Sequence, residues 1–210
     1  MSISRDAVIE WMKAFAGLIA ENKDYLTQLD SAIGDADHGT NMNRGMQAVL
    51  TKLPTVADKD IGTVFKTVGM TLVSTVGGAS GPLYGTFFMQ MGTVTANKLE
   101  LTLKDWADAL EAAINGVVMR GKAQVGDKTM VDALTPALAA LKEANVNGDS
   151  ISVALQKSVE AAAKGRDDTI PLVARKGRAS YLGERSAGHQ DPGATSSHLL
   201  LLTAAQTLAK

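Results

Sequence analysis

Hydrophobic positions recur along this chain at spacings of three and four, and that spacing predicts its elements. Over residues 4–21, Ala7, Val8, Trp11, Met12, Phe15, Leu18 and Ile19 form one apolar stripe, as in a helix with a single buried face. A polar break at Glu21–Asp24 precedes a short helical segment ending near Asp30. A helix is expected over 41–53, with Met42, Met46, Val49, Leu50 and Leu53 on one side and Pro54 as its stop. Asp60 opens the next, through Ile61, Val64, Phe65, Val68 and Leu72. Further helices are expected from about Leu83 to Lys98, from a Thr102 cap to Arg120-Gly121, over 129–144, 151–164 and 194–209.

No segment alternates with period two. The pattern therefore predicts seven to nine helices and no sheet. This is an all-α fold, a bundle or closed ring of helices forming one domain over residues 1–210. Only 166–193 escapes the pattern. It carries Arg166, Arg175, Lys176, Arg178 and Arg185 among glycines and prolines, the composition of a functional or disordered loop.

The net charge of −1 gives no electrostatic reason to expect nucleic acid or an anionic membrane as partner. Cysteine is absent, which removes disulfides and thiolate metal sites. Asp6, Glu10 and Lys13 interrupt what would have to be a signal peptide's apolar core, and Leu199–Leu202 is too short to cross a bilayer. A cytoplasmic protein is expected.

The candidate chemistry begins at Asp30. Asp30, Asp35, Asp37, His38, Gly39 and Asn41 crowd three carboxylates and an imidazole into one short run. Such carboxylates repel unless a cation lies between them, and all-oxygen ligation suits Mg²⁺ better than zinc. An EF-hand is excluded, because the twelfth position counted from Asp35 is Met46 and not Glu. A solvated, capped turn is the plain alternative.

Other stretches favour a bound phosphate. Gly77-Gly78-Ala79-Ser80-Gly81-Pro82 opens a helix, where free N–H groups and the helix dipole attract anions, although no P-loop ending follows. Gly126, Asp127 and Thr129 precede another helix, where ordinary capping is the alternative. Lys122 and Lys128 are expected at the surface, with reach to a ligand as the alternative for either. Arg178 has the guanidinium geometry for phosphate, and Asp191-Pro192-Gly193 reads as a turn. His198 is expected to be structural and His189 to orient that turn. His38 is the best ligand-contact candidate; as a phosphoryl acceptor it would make this a phosphocarrier, but three carboxylates suit metal-held phosphate better.

Taken together, these blocks resemble a known family. They are Gly34-Asp35-Ala36-Asp37-His38-Gly39-Thr40-Asn41-Met42, Gly77 to Gly85, Gly126-Asp127-Lys128-Thr129-Met130, Arg175 to Arg185 and Gly188 to Ala194. In this order they are similar to the nucleotide-binding, DhaL-type subunit of bacterial dihydroxyacetone kinase. The resemblance implies a closed barrel of about eight antiparallel helices with the nucleotide at one end. It implies two Mg²⁺ ions on Asp30, Asp35 and Asp37. It implies phosphate contacts from His38, Gly39, Thr40, Asn41, Ala79 and Ser80, with Gly121, Met130, Arg178, Asp191, Pro192 and Gly193 lining the rest of an ADP site.

No residue of the chain is then expected to act covalently, since the nucleotide itself is the phosphoryl donor. The implied partners are a DhaK-type subunit holding dihydroxyacetone and a DhaM-type phosphohistidine carrier of the phosphotransferase system, fed from phosphoenolpyruvate. The start at Met1 with a full first helix favours the free subunit, which keeps its ADP, over the domain fused within a longer ATP-using kinase. Two alternatives stand beside this. One is a fatty acid kinase domain, which sits on a larger chain. The other is a nucleotide-state sensor that binds a transcription regulator.

Overall fold

The structure, a computed structural model, describes residues 2–209. Among them are nine α-helices: α1 (Arg5–Glu21), α2 (Lys23–Ile33), α3 (His38–Lys52), α4 (Ile61–Thr75), α5 (Ser80–Val94), α6 (Leu103–Gly121), α7 (Met130–Val146), α8 (Ile151–Asp167) and α9 (Pro192–Thr207). Short 3-10 segments cover Leu53–Val56 and Arg178–Ser186. The expectation of no sheet needs one correction. Ile3–Ser4 (β1) pairs antiparallel with Glu100–Leu101 (β2), tying the start of the chain to the α5–α6 connection.

Side-chain caps fix most helix starts. Ser4, Asp60, Thr102, Thr129, Ser150 and Asp191 each accept a backbone N–H from the first turn. Thr102 with Asp105, and Thr129 with Asp132, form reciprocal capping boxes. Asp191-Pro192 is thus a helix start, with proline in the first turn where no N–H is needed, rather than a free turn.

Two helices start earlier than their apolar stripes suggest, α3 at His38 and α5 at Ser80. Their first turns are glycine-rich and polar, so periodicity does not reveal them. Neither has a side-chain cap of its own. The N–H groups of Asp37 and His38 donate instead to Asp30 Oδ2, at 2.8 and 3.1 Å, so α2 caps α3.

The helices close into a ring: α1 packs on α3, then each of α3 to α8 on its successor, and α9 back on α1. The short α2 lies against α3 and α9. Inside, Trp11 stacks edge-on with Trp106 at 5.1 Å and with Phe65 at 6.0 Å, and Phe88 joins them. Trp11 Nε1 donates to the Leu200 carbonyl at 2.9 Å, joining the first helix to the last. No described helix is long and apolar enough to cross a membrane.

Candidate nucleotide and metal site

The ring alternates in direction, and this decides what gathers at each end. The N-termini of α3, α5, α7 and α9 all border one cavity of about 710 Å³. The same wall includes Ile33 and Gly34 at the end of α2, Gly77 just after α4, and Gly121 at the end of α6. The β1–β2 pair, with the starts of α1 and α6, lies at the opposite end. Four helix N-termini aimed at one space make it attractive to anions.

Three carboxylates stand beside them. Asp30, Asp35 and Asp37 each place one oxygen within 4.8 Å of the others. Asp30 is buried, Asp37 half-buried and Asp35 exposed. A Cβ on Gly34 would come within 2.1 Å of Asp30 Oδ1, so only glycine lets the chain fold this closely over that carboxylate. Among the described residues, the one cation paired with the cluster is Arg178, whose Nε lies 2.7 Å from Asp35 Oδ2. An all-oxygen donor set this compact and this poorly neutralised can hold a hard divalent cation.

His38 opens α3 between the acids and the core. Its Nδ1 lies 3.0 Å from Ser80 Oγ and its Nε2 lies 2.9 Å from Ser196 Oγ. Ser196 Oγ also meets the Tyr84 hydroxyl at 2.7 Å. Burial holds the imidazole pKa below its ordinary value, partly offset by Asp30 and Asp37. A neutral ring bonded on both sides links α3, α5 and α9. Neither nitrogen is free as a nucleophile, which argues against the phosphocarrier alternative. Deeper in, burial pushes the Tyr84 hydroxyl up to about 12 and the Asp191 carboxyl up to about 7, the latter eased by the Ala194 N–H it accepts.

The cavity wall brings together Asp30, Asp35, Asp37, His38, Ala79, Ser80, Gly121, Met130, Arg178, Asp191, Pro192 and Gly193 from the positions singled out in the sequence. Gly39, Thr40 and Asn41 lie behind it. Gly39 is pressed against α2, where a Cβ would meet the Lys23 carbonyl at 2.0 Å. Thr40 is exposed. Asn41 is buried, and its Oδ1 accepts from Arg44 at 2.7 Å.

The residues singled out for the site leave out Leu83, Val117, Lys128 and Tyr181, which also line the cavity. Leu83 and Val117 are apolar side chains with nothing in their residue type to separate them from core. Lys128, expected at the surface, is 1% exposed. Its backbone is left-handed, at φ 63°, and its side chain reaches inward to backbone carbonyls. Periodicity carries no signal for that conformation. His198 is buried as expected, with Nδ1 3.0 Å from Arg166 Nη1.

Comparison with known proteins agrees with this architecture. The DAK2 domain model matches residues 32–206. The chain is 50% identical, over 93% of both chains, to the Escherichia coli (strain K12) protein named PEP-dependent dihydroxyacetone kinase, ADP-binding subunit DhaL. It is 44% identical to the Lactococcus lactis PTS-dependent counterpart, over 97% of this chain and 98% of that one. The crystal structure of the C. freundii dihydroxyacetone kinase in complex with AMP-PNP and Mg²⁺ superposes with a TM-score of 0.70 at 26% identity. That match covers 95% of this chain and 33% of the longer kinase, of which this chain spans about a third. By these matches the chain belongs to the DAK2 domain family, among the DhaL-type subunits of the dihydroxyacetone kinases, which are phosphotransferases.

Proposed function

We propose that this chain is the ADP-binding, phosphoryl-donating subunit of a cytoplasmic dihydroxyacetone kinase driven by phosphoenolpyruvate. The observation that supports it best is the meeting of opposite demands in one cavity. Three aspartates require a cation, and four helix N-termini favour an anion. A diphosphate carrying Mg²⁺ meets both.

In this reading Asp30, Asp35 and Asp37 hold two Mg²⁺ ions. His38, Ala79 and Ser80 on the cavity wall take the phosphate oxygens, and Gly39, Thr40 and Asn41, in the first turn of α3 behind that wall, complete the phosphate-binding set through that turn. Gly121, Met130, Arg178, Asp191, Pro192 and Gly193 surround the rest of the nucleotide. When bound, ADP with its Mg²⁺ supplies the relay: phosphorylated in place by a DhaM-type phosphohistidine carrier, it yields that group to dihydroxyacetone on a DhaK-type subunit, giving dihydroxyacetone phosphate.

The chain's own residues make no covalent bond. They bind, align and neutralise, which is most of what phosphoryl transfer requires. The neutral His38, fixed between Ser80 and Ser196, holds the first turns of α3 and α5 in register. Arg178 is exposed on the rim and can move from Asp35 to a phosphate oxygen. A transcription regulator that distinguishes the ADP and ATP forms is a further partner in this reading.

The test is to denature the purified protein and chromatograph the small molecules released. ADP is expected; absence of any adenine nucleotide refutes the retained cofactor. Adding phosphoenolpyruvate and the carrier system, without the sugar-binding subunit, is expected to convert that ADP to ATP on the protein.

A further inference from the structure

The segment between α8 and α9 leaves the ring and returns through a narrow neck. At the neck, Gly188 N–H donates to the Ile170 carbonyl at 2.8 Å, and Asp191 N–H donates to Thr169 Oγ1 at 3.0 Å. Residues 171–187 lie between these closures, and Lys176, Gly177, Arg178, Ala179 and Tyr181 from this stretch stand on the cavity wall.

A side chain from another part of the ring reaches this neck. Lys128 belongs to the α6–α7 connection, one residue before the cap of α7. Its Nζ donates to the carbonyls of Thr169 at 2.7 Å, Ile170 at 3.4 Å and His189. All three ammonium protons are thus directed at backbone oxygens from the two sides of the neck. No described carboxylate is salt-bridged to it, and the residue is buried where it borders the cavity. A buried ammonium is retained only where its donors are satisfied. Its left-handed backbone is also one that glycine or asparagine adopts at lower cost than lysine. Neither burial nor local conformation favours lysine at this position, so its reach to the neck accounts for it.

We propose that Lys128 is a positioning residue for the nucleotide site, its ammonium pinning both strands of the α8–α9 neck so that Arg178 and Asp191–Gly193 are held in place before ligand arrives. This rests on the nucleotide reading given above. Lys128 touches the loop's backbone rather than any reacting atom. A second tie, from Arg175 N–H to the Asp127 carbonyl at 3.1 Å, joins the same two segments.

Two variants of the full-length protein test it. Lys128→Met keeps the length of the side chain and removes the charge. Lys128→Gly keeps the left-handed backbone and removes the side chain. In both, amide exchange at Gly188 and Asp191 is expected to quicken, and ADP release to accelerate, by ~10- to 100-fold, the equivalent of one lost charge-assisted hydrogen bond. Exchange within α1 and α4 stays as in the wild type. Added n-butylammonium is expected to slow ADP release again in Lys128→Gly but not in Lys128→Met, a rescue that general loosening would not show.

Folded variants with unchanged neck exchange and unchanged ADP release overturn the proposal. If neither variant folds, nucleotide-stripped wild type decides. There the Gly188 and Asp191 amides should stay protected while those of 176–181 exchange freely, and rapid exchange at Gly188 overturns the pin. A wild type that never holds ADP yet protects this neck supports the pin and refutes the nucleotide reading, so the two failures are distinguishable.

Discussion

Asp30 serves two structures with one carboxylate. One oxygen takes the first N–H groups of α3, and the side chain is also a corner of the acidic cluster. Asp37 has no comparable structural duty: it is half-buried and accepts no side-chain cap bond. Asp37→Asn should therefore weaken Mg²⁺ and nucleotide together while leaving the fold intact. The expected loss in ADP affinity is roughly tenfold or more with Mg²⁺ present, about 1.4 kcal/mol per decade. Calorimetric titration with and without Mg²⁺ checks it, since an equal loss in the absence of the metal would place Asp37 outside any metal site. At this scale the sequence was legible where chemistry is local. Three acids within eight positions announce themselves whatever the fold. The Lys128 ammonium was not legible, because its acceptors lie more than forty positions away and are backbone atoms, which leave no mark on residue type.

Among the helices, the tightest pair is α4 with α5, and it is built on glycine. A Cβ on Gly69 would meet the Gly85 carbonyl at 2.7 Å, and one on Gly92 would meet the Gly62 carbonyl at 2.6 Å. The two contacts lie seven residues apart on each helix, which fixes the pair antiparallel and in register. That register sets the Val76–Ala79 turn, and so the start of α5 at the cavity. Gly69→Ala is expected to cost about 1–3 kcal/mol, the range for overpacking a close-packed contact. Since the obstructing atoms include backbone on α5, nucleotide affinity should fall as well. Urea denaturation and ADP binding on the same preparation measure both. A similar economy appears at α7, where Pro136 cannot bond the Asp132 carbonyl and Gly165 of α8 packs against that oxygen instead. Apolar spacing disclosed nearly every helix, because burial on one face imposes it. It missed the first turns of α3 and α5, whose residues are chosen for what they face rather than for helix propensity.

The ring as a whole has an acid limit that one buried pair should help to set. His198 on α9 accepts from Arg166 on α8, and burial together with that positive neighbour lowers its pKa to about 4. The unfolded chain therefore binds a proton that the folded one refuses between pH ~6.5 and that value. The stability contributed is fully present above pH ~6.5 and is lost as pH falls, by on the order of 3 kcal/mol at the lower end. His198→Asn, which keeps an acceptor and cannot titrate, should lose less stability than wild type between pH 7 and pH 4. Denaturation midpoints across that range give the difference, and parallel pH profiles would exclude the effect. From periodicity alone, closure of the ring was one of two all-helical arrangements, and only the resemblance pointed to the closed barrel. Periodicity says that a face is covered, and does not say that α9 covers α1.

Because the helices reverse direction one after another, the first and last described helices have their free ends on the side away from the cavity. A tag, dye or surface tether joined at either terminus would stand opposite the opening, leaving the mouth clear. A bulky fusion at the tip of the Tyr181 loop would obstruct that mouth while leaving the barrel undisturbed.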